Sequence, residues 1–389
     1  MRSLRTILSI VLVLAGLAQA QAPQHGTSTS AAKSVKATSK ANTHFYGGVD
    51  LGSKGTKGEL YSFVTEEDGR TPVGVFSKTI NTSLVSSMKD GQFTKAGIDD
   101  AASAVQQVVD AMKAESEKRK IHVDTYYVVG SSGVAKATNK NDLAVAVNAS
   151  TGIDMSWVDA AHEGYFGLIS SVPSTRRQTS MYLDIGSGNT KLGCIIGPAD
   201  LKNYKSAEIP YGSVSGRNGA LKRNPNDLNA GIDSVMSDIS RTYEAQSRDV
   251  PCLRNRDRIY WTGGAAWATA SYAHPEGALN GFVTITKHDL DTFIASLKDG
   301  SWTQKKHVFV FPKDMPIEKQ TAVRARAASD WSGDHGVLNI FVREDLLSGV
   351  SIMRAVLNSS NPSASLHFVR NGNFLYGYAL NQLNGDAAE

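Results

Sequence analysis

The chain has 389 residues, with 41 basic against 37 acidic side chains, 35 glycines and two cysteines. Five of the basic residues (Arg2, Arg5, Lys33, Lys36 and Lys40) precede Phe45 in a stretch without a single acid. The rest is close to neutral, and the basic balance gives no nucleic-acid-binding surface. Two cysteines exclude a small disulfide-stapled scaffold, and the roughly 345 residues after the first 44 suffice for two lobes with cores of their own.

At the start, Met1 to Arg5 carries the positive charge, Ile7 to Leu17 is apolar, and Ala18-Gln19-Ala20 has the form of a signal-peptidase site. Residues 1–20 are therefore expected to be a secretory signal cleaved near Ala20, because the apolar run falls short of the about 20 residues a membrane span requires. The mature protein is expected to be periplasmic or secreted, with no membrane attachment after cleavage. Residues 21–44, rich in Ser, Thr, Ala, Gln and Lys, cannot offset their own chain entropy and read as a flexible tether.

A repeated octet organises the remainder of the chain. Asp50-Leu51-Gly52-Ser53-Lys54-Gly55-Thr56-Lys57 and Asp184-Ile185-Gly186-Ser187-Gly188-Asn189-Thr190-Lys191 share one pattern, each between two short apolar runs, so each reads as strand, tight turn, strand. The glycines let the turn bend and let backbone N–H groups face an anion. The repeat predicts a duplicated lobe, residues 45–178 and 179–389.

Between the octets, Ile98 to Met112 shows the spacing of an amphipathic helix, with Asp99 and Asp100 near its start and Lys118 to Lys120 at its end. A strand at Tyr126 to Val129, a Ser-Gly turn at 130–133, a short helix from Asn141 to before Gly152 and a helix from Asp159 to Ser171 come next. Beyond the second octet, strands are expected at Arg258 to Thr262, His307 to Phe311 and Val337 to Val342, with a helix at Glu344 to Leu357. Strands alternating with helices predict an α/β fold, sheets covered by helices. The end of the chain, Leu366 to Tyr376, reads as an Asn-Gly hairpin extending the second lobe. Cys194 and Cys252 fit either a disulfide or two separately buried thiols.

The octets, with Ser131-Ser132-Gly133-Val134, Ile209 to Val214 and Trp261-Thr262-Gly263-Gly264-Ala265-Ala266, resemble the exopolyphosphatase and guanosine-pentaphosphate phosphohydrolase (Ppx/GppA) family of the actin-like superfamily. The resemblance implies two duplicated, ribonuclease H-like lobes closing on a phosphate chain, with Asp50 and Asp184 holding Mg²⁺ directly or through water. It places Gly52, Ser53, Lys54, Gly55, Thr56 and Lys57 from one lobe around the phosphates. Gly186, Ser187, Gly188, Asn189, Thr190 and Lys191 face them from the other, with Ser131, Ser132, Gly263 and Gly264 alongside. Glu163, at the start of the helix after the interlobe strand, matches the family's general base; Glu163 to Gly167 is also similar to a segment of the secreted apyrases.

Two positions depart from the family pattern. Ala135 stands where an arginine is usual, and Lys191 where a second carboxylate is usual. The expected function is accordingly an exported Mg²⁺-dependent hydrolase of polyphosphate or nucleoside polyphosphates. A catalytically weak or inactive binding module of the same fold is the alternative that the two departures suggest.

Overall fold

The two octets close hairpins of the same build. In the first, β1 (Phe45–Leu51) and β2 (Gly55–Glu66) pair antiparallel with Asp50 opposite Lys57, and the Gly52 N–H donates to the Gly55 carbonyl at 2.9 Å. In the second, β6 (Ser180–Ile185) and β7 (Thr190–Ile195) set Asp184 opposite Lys191, and the Gly186 N–H donates to the Asn189 carbonyl at 3.0 Å. The computed structural model describes residues 44–385, apart from 54, 67, 68, 83, 85, 86, 280, 310, 362 and 371. The expected signal peptide, the tether up to residue 43 and Lys54 lie outside the described residues.

Around each hairpin lies a sheet of matching order. The first runs β3-β2-β1-β4-β5, with β3 at Gly69–Asn81, β4 at Val123–Gly130 and β5 at Met155–Trp157. The second runs β10-β11-β9-β6-β7-β8, with β8 at Tyr204–Ile209, β9 at Arg258–Thr262, β10 at Phe282–Ile285 and β11 at Ser365–Val369. On one side of each hairpin the pairing is antiparallel. On the other it is parallel, β1 with β4 and β5 in one lobe, β6 with β9 and β11 in the other.

Parallel neighbours require crossover helices, and the amphipathic segments supply them. The helix Lys95–Arg119 begins one turn earlier than its apolar spacing suggested, because the Thr94 side chain caps it by accepting from the Gly97 N–H; it ends at Lys120 in the left-handed conformation, φ 56°. Its buried face, including Val105, Val108 and Met112, packs on Val49, Leu51 and Leu60 of the sheet. In the second lobe the helices Leu228–Asp249 and Arg343–Ser359 share a core with Met181, Leu183 and Trp261. Each such aliphatic side chain contributes roughly 1.5–3 kcal/mol by leaving water. Cys194 and Cys252 form a disulfide, which fastens β7 to the turn Pro251–Leu253.

Three sequence expectations need correction. The described residues of 307–311 form no strand: Phe309 and Phe311 stack with ring centroids 5.8 Å apart against the Arg324 guanidinium, and His307 meets Trp331, so side-chain packing replaces a ladder. Val337–Ile340 is a short helix rather than a strand, an ambiguity inherent in a brief apolar run. The C-terminal segment is β11 followed by the helix Phe374–Gly385, not a hairpin. That helix leaves the second lobe and docks on the first, where Tyr376 meets Tyr61 edge-on at 4.7 Å and Tyr378 meets Tyr127. It also crosses the helix Ala160–Ser171 so closely that a Cβ at Gly377 would lie 1.9 Å from the Phe166 carbonyl oxygen. Glycine at the crossing permits this close helix–helix docking.

Candidate active site

The hairpin turns face one another across a cleft made of two cavities, of about 290 and 720 Å³, which meet at Asp50, Glu163, Asp184, Gly263 and Gly264. Gly52, Ser53 and Ser131 line the smaller cavity from the first lobe; Gly186, Ser187, Gly188 and Asn189 line it from the second. Gly263 is on the turn after β9 with φ +97°, a conformation that favours glycine, and an added Cβ would lie 3.0 Å from Asp184 Oδ1. The helix Ser213–Arg223 braces the second hairpin: Ser213 N–H donates to the Gly186 carbonyl and Val214 N–H to that of Ser187. A Cβ at Gly212 would come within 2.3 Å of the Gly186 oxygen, so this brace needs a glycine.

Glu163 lies on the first turn of the helix Ala160–Ser171, whose N-cap Asp159 accepts from the His162 N–H and also pairs with the exposed His162 ring. Its carboxylate is buried at the junction of the cavities. Oε2 accepts from the Ser132 backbone N–H at 2.9 Å, and Oε1 accepts from Lys191 Nζ at 2.5 Å. The same ammonium is 2.8 Å from Asp184 Oδ2. Burial alone would raise the Glu163 carboxyl, but the Lys191 charge and the Ser132 bond outweigh it and hold it below the ordinary carboxylate range. Burial likewise opposes the Lys191 charge, and the two carboxylates beside it more than compensate, raising its affinity for the proton.

Lys191 lines the smaller cavity beside the Gly186 turn, but it is 5% exposed and its ammonium is held by two carboxylates, partners that the sequence did not predict. Two acids brought together in a buried cleft repel each other and need a counter-charge, and the residue opposite Asp184 in the hairpin is the nearest source. The D-x₆-K spacing of the octet already contained this signal, since a four-residue turn sets its first and last residues side by side. In the other hairpin, Lys57 lines the larger cavity and pairs with Glu59 at 2.5 Å on its own strand.

Other expected phosphate contacts also have different partners. Thr190 is fully buried and its hydroxyl donates to the Tyr211 carbonyl; Thr56 is fully buried with its hydroxyl unpartnered among the described residues. Gly55, Thr56, Thr190 and Ser132 line neither cavity. Ser132 instead contributes its backbone N–H to Glu163, and Asn189 donates from its side chain to Glu208. Lys136, next to the departing Ala135, pairs with Glu208 at 2.7 Å, an interlobe contact.

Asp50 has no partner for Oδ1 among the described residues. Burial first, and then the Glu163 charge, push its carboxyl up to about 7 against the pull of Lys57 and Lys191. A carboxyl with a raised native pKa favours folding while protonated, so its contribution is lost as pH rises from near 3.8 through about 7. Asp50→Asn should flatten the fall in stability across that window by on the order of 1–2 kcal/mol, the cleft's access to water damping the effect. Denaturant midpoints of parent and variant across the window check this. Parallel pH profiles would show that Asp50 ionises freely in the folded protein.

The expected magnesium site paired Asp50 with Asp184. Asp184 Oδ2 is held by the Lys191 ammonium, and a divalent ion taking that oxygen, or bridging it to Glu163, would meet the ammonium as a like charge at close range. Among the described residues no group of three or more His, Cys, Asp or Glu side chains is arranged to hold a metal ion. With the ammonium there, the residues do not fit a resident Mg²⁺ between Asp184 and Glu163.

Two sheets of matching order, duplicated hairpins and a cleft between them define a two-lobed, actin-like α/β fold. Among solved structures the chain is similar to a Ppx/GppA family member from Aquifex aeolicus, at 14% identity, over 88% of this chain and 99% of that one, with a TM-score of 0.59. It is equally similar to an exopolyphosphatase from Cytophaga hutchinsonii (14% identity, 88% and 98% covered, TM-score 0.58) and to an exopolyphosphatase-like protein (14%, 88% and 98%, TM-score 0.60). The fold is that of the Ppx/GppA structures. No protein-family model matches the chain, and no curated protein matches it in sequence.

Proposed function

We propose that the protein is an exported phosphoanhydride hydrolase of slow turnover, which takes the phosphate chain of polyphosphate or of a nucleoside polyphosphate into the interlobe cleft. The observation that carries this reading is the convergence of both glycine hairpins and the Gly263-Gly264 turn on a cavity that also holds a buried glutamate. Backbone N–H groups of the turns would hold phosphate oxygens, and Glu163 would orient and deprotonate the attacking water. Phosphoryl transfer asks little more of a protein than positioning and charge neutralisation. Slow turnover follows from the Lys191 contact, because a carboxylate stabilised by an ammonium is a poorer base. Magnesium enters this reading only as the counter-ion that a phosphate chain brings with it. Export rests on the pattern of residues 1–20.

The same Lys191 contact favours a second reading, binding without turnover. Phosphate release from tripolyphosphate, long-chain polyphosphate, ATP, ADP, GTP and guanosine tetraphosphate, with Mg²⁺, separates the two when run beside calorimetric binding of the same compounds. Release above a Glu163→Gln control supports the hydrolase, and binding without release supports the module. Neither binding nor release for any compound would overturn both.

A further inference from the structure

We infer that Lys191 is a built-in replacement for a divalent cation: its ammonium occupies the position between Asp184 and Glu163, and the protein alone therefore has no divalent-metal site that takes Asp184 as a ligand. Three observations carry this. The ammonium is within 2.8 Å of Asp184 and 2.5 Å of Glu163, it is 5% exposed, and it comes from the strand position directly opposite Asp184. Lys191 is also close to the turn expected to hold phosphate, 3.6 Å from where a Cβ would sit on Gly186. The neighbouring donors remain in place: Asp50 lines both cavities with Oδ1 unpartnered among the described residues, and Glu163 is oriented by the Ser132 N–H.

The chemistry is set by charge and size. An ammonium neutralises one unit of charge, holds the carboxylates by hydrogen bonds rather than by inner-sphere coordination, and is tied covalently to β7. A hard divalent ion would take the same carboxylate oxygens, and both cations cannot hold them at once. Removing the ammonium leaves Asp184 and Glu163 facing the space it held with excess negative charge. That is a donor set for a hard cation, whose binding would relieve the repulsion.

The test uses Mn²⁺ alone, with no phosphate compound present, so it succeeds or fails separately from the proposed activity. Mn²⁺ binding is followed by calorimetry and by loss of the free-ion magnetic resonance signal for the parent, Lys191→Ala, Lys191→Gln and Asp184→Asn proteins. The parent should show no saturable site that depends on Asp184. Lys191→Ala should gain one stoichiometric site at least tenfold tighter than anything in the parent, and Mn²⁺ should raise its melting temperature while leaving the parent's unchanged. Lys191→Gln, which keeps hydrogen bonding, takes its place if the alanine variant does not fold. A stoichiometric Mn²⁺ site in the parent that Asp184→Asn abolishes would overturn the inference, as would variants that bind Mn²⁺ no better than the parent.

Discussion

Lys191→Met should cost about 3–5 kcal/mol of folding stability at neutral pH, the usual consequence of removing one partner from a buried ion pair and leaving the other charged. The loss should be large because two carboxylates, not one, depend on this ammonium: Glu163 at 2.5 Å and Asp184 at 2.8 Å. The pH dependence gives the sign. In the parent, Glu163 has a depressed carboxyl pKa, so its contribution is present at neutral pH and lost as pH falls below the ordinary carboxylate range. In the variant, Glu163 would be buried without a counter-charge and its native pKa raised, so the variant should recover stability as pH falls and it takes up a proton. The gap between the two proteins should therefore be widest at about pH 8 and narrow toward about pH 5. Urea unfolding at both pH values measures it. A loss under about 1 kcal/mol, independent of pH, would mean that the ammonium adds nothing beyond an exposed ion pair.

Glu163→Gln should reduce phosphate release by roughly 10²–10⁴-fold, the range for loss of a general base. The amide keeps the size of the side chain and an oxygen to accept from the Ser132 N–H, while Lys191 retains Asp184. Binding of the phosphate chain should persist, because the hairpin turns that would hold it do not depend on the Glu163 charge. Turnover equal to the parent's would transfer the role of base to another group in the cleft, and Asp50 is the carboxyl placed to take it.

The octet repeat was enough to predict two equivalent hairpins, since glycine-rich turns between apolar runs constrain the backbone locally. The structure has both, in the same register. Helical spacing located the helix at 95–119, because amphipathic periodicity is a local property, and the helices expected at 159–171 and 344–357 form at 160–171 and 343–359. The expectations at 307–311, 337–342 and 366–376 failed for a shared reason: short apolar and aromatic runs take their conformation from whatever they pack against, and those partners are distant in sequence. The site divides along the same line. Which residues form the turns, and that Asp184 faces Lys191 across one of them, are consequences of spacing within eight residues. That Glu163, 28 residues from Lys191, would share its ammonium with Asp184 depended on a helix crossing behind β6 and β7, where low dielectric and scarce water force buried charges to pair. Only the tertiary structure could turn a lysine expected at a phosphate chain into the counter-ion of the proposed base.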